Sequence, residues 1–351
     1  MRILLDDSLV KKQLYPLAAI RHAATTRIGI LTIREKWERM SGKEVVLIPG
    51  AAMKAIQDND VLLVSANIIP TKEWVMEIMA HGMKQPSPGD DSVKIIDHPW
   101  NVFQYNDWAI RADFDLITAG RTSQPISSTN TVISTGQIFA EEGAEVEHCT
   151  LNASTGPIYI GKDAVMMEGC MVRGPFAICE GAVLKMGTRV YGATTIGPYC
   201  NAAGEIKNAV LTGYSNKAHD GYLGDSVLGE WCNLGAGTSN SNVKNTAGTV
   251  SAWDQSVNAF VTVGQKCGLI MGDHSRSAIN TSFNTGTVVG ACCNIFGHGF
   301  PPKYMPDFSW GKERYNFDKV IADINNWMKL KGRSLPEEEH QLLYDIYHQN
   351  K

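Results

Sequence analysis

The chain has 351 residues, 44% of them hydrophobic and 19% charged, with a formal net charge of −4. Few charges beside 33 glycines exclude a disordered chain or a coiled coil, and the acidic balance excludes general nucleic-acid binding as the main role. No apolar run reaches the ~18 residues that span a bilayer, and the first apolar stretch meets Asp6 and Asp7 too early for a signal peptide. No membrane partner and a cytoplasmic location are therefore expected. At ~150 residues per domain, the length suggests two domains or one long repetitive one.

Residues 1–118 read as an α/β domain. Ile3, Leu4 and Leu5 form a short apolar run that ends in Asp6 and Asp7. The apolar run at 28–33 precedes a charged, Trp-containing stretch, 34–40, of helical character. Residues 45–48 and 61–64 are aliphatic, bounded by turn formers, and look like buried parallel strands. Residues 74–83 have helical apolar spacing. The domain is small for a full nucleotide-binding unit. An aromatic-rich connector follows at 92–125, with a short helix predicted at 108–116, and is expected to pack between domains.

From 119 to 299 the chain changes character, and a period of six appears. Ile160, Met166, Val172, Ile178, Leu184, Val190, Ile196 and Ala202 are all apolar. Chance would give eight in one fixed phase on the order of one time in a thousand at this composition. The row two residues earlier is uncharged and mostly small. The period resumes around Ser226 and again from Val263 to Ile295. Hexads of this kind build a parallel β-helix, in which three short strands close one triangular coil. Cys170, Cys200, Cys232 and Cys293 fall in the small row and read as inward filler rather than catalytic thiols. The eight cysteines show no C-x-x-C pair and no zinc spacing, so no metal site is assigned to them. Residues 300–351 carry two helical patterns, one from Phe317 and one after Ser334, a plausible N-cap. These helices would brace one end of the β-helix.

Two breaks in the period draw attention, because loops that leave a repeat commonly carry function. The first, at 203–225, holds His219, Asp220, Asp225, Lys217, Tyr214 and Tyr222. The second runs from Gly235 through Asn245 to a polar loop near 260, with small residues that let a ligand approach the backbone.

Lys217-Ala-His219, Tyr222-Leu-Gly-Asp225 and Asn233-Leu-Gly-Ala-Gly-Thr238 followed by Asn242 resemble one enzyme family. It is the acetyltransferase half of the bifunctional UDP-N-acetylglucosamine pyrophosphorylase/glucosamine-1-phosphate N-acetyltransferase. Spacing from the His to the last Asn matches without a gap. Nearly the whole chain resembles a shorter, related group of sugar nucleotidyltransferase-like proteins, through Arg27-Ile-Gly-Ile-Leu-Thr-Ile-Arg-Glu-Lys-Trp37, Ile110-Arg-Ala-Asp-Phe114 and Gly229-Glu-Trp-Cys-Asn-Leu-Gly235. The resemblance implies a reduced nucleotidyltransferase-like domain, then a left-handed parallel β-helix working as a homotrimer, with acetyl-CoA between coils of neighbouring chains.

Carried over by the resemblance, His219 is the general base. An amine attacking a thioester must lose a proton, and a histidine with a pKa near 6.5 can take it at neutral pH. Asp220 or a backbone carbonyl is the expected orienting group. Tyr222, Asn233 and Asn242 match substrate-side positions. Arg189 and Lys207 match the cations on the substrate phosphate, with Lys185 competing for the place of Arg189. Ala236 and Gly237 fall on the acyl-CoA side. Departures are clear too: the family's Asn-Tyr-Asp-Gly reads Asn242-Val-Lys-Asn245 here, and 268–275 is unlike the family's acyl-CoA region. His274 is a second candidate.

Sugar nucleotidyltransferases cradle phosphate with a glycine-rich loop after the first strand and hold a metal with an acid. Here residues 6–17 contain no glycine, and Asn67 stands where the metal-binding acid is expected. Arg21, Arg27 and Asp6 remain candidates for a phosphate or nucleotide site, with Mg²⁺ required only if that domain is active. Three readings follow. The first is an enzyme, a transferase moving an acyl group from acyl-CoA to an amino sugar phosphate or nucleotide sugar. The second is sugar-1-phosphate nucleotidyl transfer by the N-terminal domain. The third is a non-catalytic scaffold that binds a sugar nucleotide.

Overall fold

The computed structural model describes residues 2–48, 61–82 and 93–349. β1 (Arg2–Asp6) leads into a looped segment that ends in a tight antiparallel hairpin of β2 (Arg27–Ile28) and β3 (Leu31–Thr32). The apolar run at 28–33 therefore turns back on itself. Gly29 makes this possible: its φ is +72°, and a Cβ there would lie 2.7 Å from the Ala109 carbonyl. α1 (Ile33–Ser41) starts with a capping box, in which Thr32 and Glu35 satisfy each other's backbone N–H groups. β4 (Val45–Ile48) and β5 (Val61–Ser65) flank β1 in a parallel sheet, as their aliphatic runs predict. α2 (Lys72–His81) packs Trp74 edge-on against Trp37, centroids 5.7 Å apart. The expected end of that helix at Met83 lies outside the described residues.

The connector forms α3 (Asn101–Gln104) and α4 (Asn106–Thr118), longer than the predicted 108–116. It joins the two halves of the molecule as expected. Asn106 accepts from Gly29 N at 2.7 Å and donates to Ala193 O at 2.7 Å.

From Thr131 the chain winds into coils of three strands that stack in parallel. The first face carries Thr131–Ile133, Thr150–Asn152, Met171–Arg173 and Arg189–Tyr191, then the opening residues of Glu205–Gly213 and Tyr222–Glu230. The second carries Ile138–Ala140 up to Thr287–Val289 and Tyr304–Met305. The third runs from Glu145–Val146 to Ser309–Trp310, so parallel pairing continues past residue 299. Ile160, Met166, Val172, Ile178, Leu184, Val190, Ile196 and Ala202 all face inward and are buried. All eight cysteines are free and buried, and burial pushes the Cys200 and Cys293 thiols up to about 12. That suits filler.

The first break in the period is not a loop. Glu205–Gly213 and Tyr222–Glu230 each turn a corner, at Asn208 and Asp225, both with left-handed φ. Asn208 and Asp225 are 17 residues apart, against about 18 for three full hexads. The shorter coil shifts the phase and keeps the stack. The second break is a real insertion: between Ser239–Asn240 and Leu269–Met271 the chain makes an antiparallel hairpin, Val250–Asp254 with Ala259–Gly264.

Two faces of the prism are partly covered by the rest of the chain. Outward Val210, Val227, Ile270 and Val288 of the second face join the N-terminal core around Ile3, Leu5 and Trp37. α5 (Phe317–Lys329) and α6 (Glu337–Gln349) pack Val320, Ile324 and Leu343 on Ala291, Cys292 and Phe308, with Trp327 under the Arg276 guanidinium. α6 starts at Glu337, so Ser334 stands upstream of its first turn and is not its cap. The first face leaves Ile133, Met171 and Tyr191 exposed. Among the described residues, no helix is long and apolar enough to cross a membrane.

Candidate functional site

Parallel register brings four of the sequence-chosen residues onto the first face. Arg189 lies opposite Glu205, and Glu205 opposite Tyr222, on successive coils. Lys207 is two residues along from Glu205 and opposite Gly224. Arg189 is near Glu205 at 4.0 Å and stays exposed, as does Lys207. Asn242, one coil above, donates to the Tyr222 hydroxyl at 3.1 Å and to Asp225 Oδ2 at 2.5 Å. Asn208 donates to the other oxygen of Asp225 at 2.6 Å. The buried Asp225 thus ties three coils together and fixes the amide that holds Tyr222.

Asn208 is absent from the sequence reading, and Asp225 is named there only within a motif, without this tie. The signal was available: 208, 225 and 242 recur at 17-residue intervals, one coil each. Residues a coil apart stack in a β-helix.

Burial, with Asp225 and Glu205 nearby, pushes the Tyr222 hydroxyl up to about 12. It is therefore protonated at neutral pH. Because its oxygen accepts from Asn242, its own hydrogen is left to donate. Two cations, a hydroxyl donor and an amide on one face suit a phosphorylated, hydroxyl-rich ligand.

His219 stands at the corner that turns from the third face into the Tyr222 strand, and it is exposed. Gly204, with φ +81°, admits this corner onto the coil below; a Cβ there would come within 2.6 Å of Gly221 O. Among the described residues no group hydrogen-bonds the His219 ring, so the expected orienting role of Asp220 is not realised within the chain. Lys217, grouped with the polar residues of this stretch in sequence, points inward instead and is buried.

Ala236 and Gly237 form the corner one coil above His219. Their smallness serves coil packing: Ala236 O accepts from Asn280 N, and a Cβ on Gly237 would collide with Asn280 Oδ1. Asn233 is not on the first face. It continues a third-face column with Asn216 below and Arg276 above. Lys185 sits at a corner, where its carbonyl accepts from Thr188, so Arg189 is the cation on the face with Lys207. His274 lies at another corner, buried at the end of an aromatic stack, 6.4 Å from Trp231 with nearly parallel rings. Burial and the cations Arg276 and Arg21 push its pKa down to about 3. Its Nδ1 has no hydrogen-bond partner among the described residues.

The N-terminal candidates are committed elsewhere. Arg21 pairs with Glu230 at 2.7 Å and Asp273 at 2.5 Å across the domain junction. Arg27 is buried and donates to Thr212 O and Ile30 O. Both Asp6 oxygens accept from Ser8, and Asn67 bonds Ser65 and Ile96 O. Among the described residues, no three His, Cys, Asp or Glu side chains are grouped to hold a metal.

A family model described as Sugar nucleotidyl transferase matches residues 2–88. A bifunctional sugar-1-phosphate nucleotidylyltransferase/acetyltransferase of Sulfurisphaera tokodaii is 28% identical over 59% of this chain and 48% of its own length. The bifunctional protein GlmU of Methanococcus maripaludis is 24% identical over 66% of this chain and 52% of its own. GlmU of Methanocaldococcus jannaschii is 31% identical over 30% of this chain and 26% of its own. The chain spans about half the length, or less, of the curated relatives it matches. It is thus similar to the bifunctional nucleotidylyltransferase/acetyltransferases, with its family-model match confined to residues 2–88.

Proposed function

We propose that the chain is a transferase that moves an acyl group, acetyl first, from acyl-CoA to an amino sugar phosphate or nucleotide sugar. The observation that carries this reading is the gathering of Arg189, Lys207, Tyr222 and Asn242 on the face that the His219 corner opens. In it, Arg189 and Lys207 hold the phosphate and Tyr222 donates to the sugar. The amine attacks the thioester carbonyl, His219 takes the amine's proton, and the CoA thiolate departs. His219 contributes ~10²–10⁴-fold as general base.

The active particle is a homotrimer in this reading. The first-face cavity lined by Arg173, Arg189 and Tyr191 is about 220 Å³ and does not reach Lys207, Tyr222 or His219, short of the roughly 300–1,000 Å³ of small-molecule sites. A neighbouring chain laid on the exposed Met171 and Tyr191 would deepen it and could supply the group that orients His219.

The match over residues 2–88 favours a second reading, nucleotidyl transfer. The described N-terminal side chains do not form a Mg²⁺ donor set, since Asp6 and Asn67 are spent on local bonds.

A ligand that binds only the folded state raises stability, by about 2.7 kcal/mol at 100 times Kd. A thermal-shift panel of CoA thioesters, amino sugar phosphates and nucleotide sugars tests the readings. Stabilisation by acetyl-CoA and by a glucosamine phosphate is expected. No shift with any CoA thioester at millimolar concentration, beside a Mg²⁺-dependent shift with nucleotide sugars, would replace the first reading with the second.

A further inference from the structure

The inward row of the third face reads Val146, Met166, Leu184, Ala202, Lys217, then Leu234, Ser277 and Ile295. Lys217 takes a core position, directly above the small Ala202, and is only 2% exposed. Among the described residues its ammonium makes no contact ion pair; Nζ reaches the corner and donates to His219 O at 2.5 Å. Burying an ammonium against one carbonyl costs stability that a Met or Leu in the row would not. The one thing this lysine does that an apolar side chain cannot is hold the backbone of His219. We propose that Lys217 is a positioning residue, an interior ammonium that fixes the corner from which His219 projects. The inference rests on His219 being the base proposed above.

Burial brings the amine down to about 8, with Asp220 opposing. Asp220 is the one charged group acting on it among the described residues; its row neighbours Ala202 and Leu234 are apolar. The tie therefore weakens as the amine loses its proton above pH 8.

Lys217→Met keeps the volume and removes the donor. We expect kcat to fall roughly 10–100-fold, KM to stay within about twofold, and the melting temperature to hold or rise. The wild-type alkaline decline in kcat, centred near pH 8, disappears in the variant. Wild-type kcat in Lys217→Met, or a loss matched by a fall in melting temperature, would overturn the proposal. Should Lys217→Met not fold, Lys217→Ala with added propylammonium replaces it: recovery of kcat supports the tie, and no recovery overturns it. His219→Ala is measured alongside, so that full activity there condemns the acyl-transfer reading rather than the tie. A readout independent of turnover is the ¹³Cε1 resonance of His219 in labelled protein. A step near pH 8 in the wild type, absent from Lys217→Met, is expected; no such step overturns the proposal.

Discussion

Asn242 donates to the Tyr222 hydroxyl across one coil, N to O 3.1 Å, while its second N–H is held by the buried Asp225. The amide cannot turn away, so the phenol's own hydrogen is left to donate elsewhere. Asn242→Ala removes both constraints. With one hydrogen bond worth about 1.5 kcal/mol, KM for the acceptor is expected to rise roughly 10-fold, with a smaller change for acyl-CoA. Tyr222→Phe moves the same constant in the same direction. Steady-state kinetics on both variants check this.

The domain junction turns on Arg21. It neutralises Asp273 and Glu230 together, and Asp273 is 2% exposed. Arg21→Ala leaves two close carboxylates without a cation and is expected to cost about 3–5 kcal/mol, read by urea unfolding. The pH dependence has a definite sign. Burial lifts the Asp273 carboxyl to about 6, against the pull of Arg21. A raised acid pKa gives stability that is present below the unfolded value near 4 and is lost as pH rises through 6. Without Arg21 the lift grows, so the variant's deficit is larger at pH 8 than at pH 5.

His274 is expected to cost the fold stability in acid. Its folded pKa, about 3, lies far below the ordinary 6.5, through burial first and then Arg276 and Arg21. A depressed His pKa gives stability present above 6.5 and lost as pH falls toward 3. The loss is about 1.4 kcal/mol per pH unit for one proton. His274→Phe keeps a ring beside Trp231 and removes that proton, so its melting temperature is expected to fall less steeply between pH 6.5 and 4.

A site shared between neighbouring chains requires a trimer. Three chains of 38.4 kDa give about 115 kDa in closed cyclic symmetry. Light scattering during size-exclusion chromatography is expected to report that mass. Introducing charge at the exposed Met171 and Tyr191 together is expected to yield monomers and to abolish turnover. A wild-type monomer that turns over substrate would contradict the argument.

The β-helix core was legible because each inward residue repeats at a fixed interval: eight residues from Ile160 to Ala202, and the small cysteines beside them, are buried as the period requires. The stretch around His219 was misread as an excursion because a 17-residue coil shifts the phase as a loop would. Lys217 is a different case. Polarity suggests an outward side chain, and only register reveals that it occupies the row of Ala202. The N-terminal docking was not legible at all. Arg21 and Asp273 are 252 residues apart, and nothing in either segment names the other. His219, Tyr222 and Asn242 came from a resemblance; what the fold adds is that Tyr222 and Asn242 touch, and that Asn233, chosen with them, stands on another face.

The most direct measurement is acyl transfer from acetyl-CoA to an amino sugar phosphate by the wild type and His219→Ala, followed as free CoA thiol. His219 is an exposed corner residue, so the variant is expected to keep the wild-type melting temperature. Its kcat is expected to fall ~10²–10⁴-fold, the contribution of a general base. Wild-type turnover in His219→Ala would contradict the account and remove His219 from the chemistry.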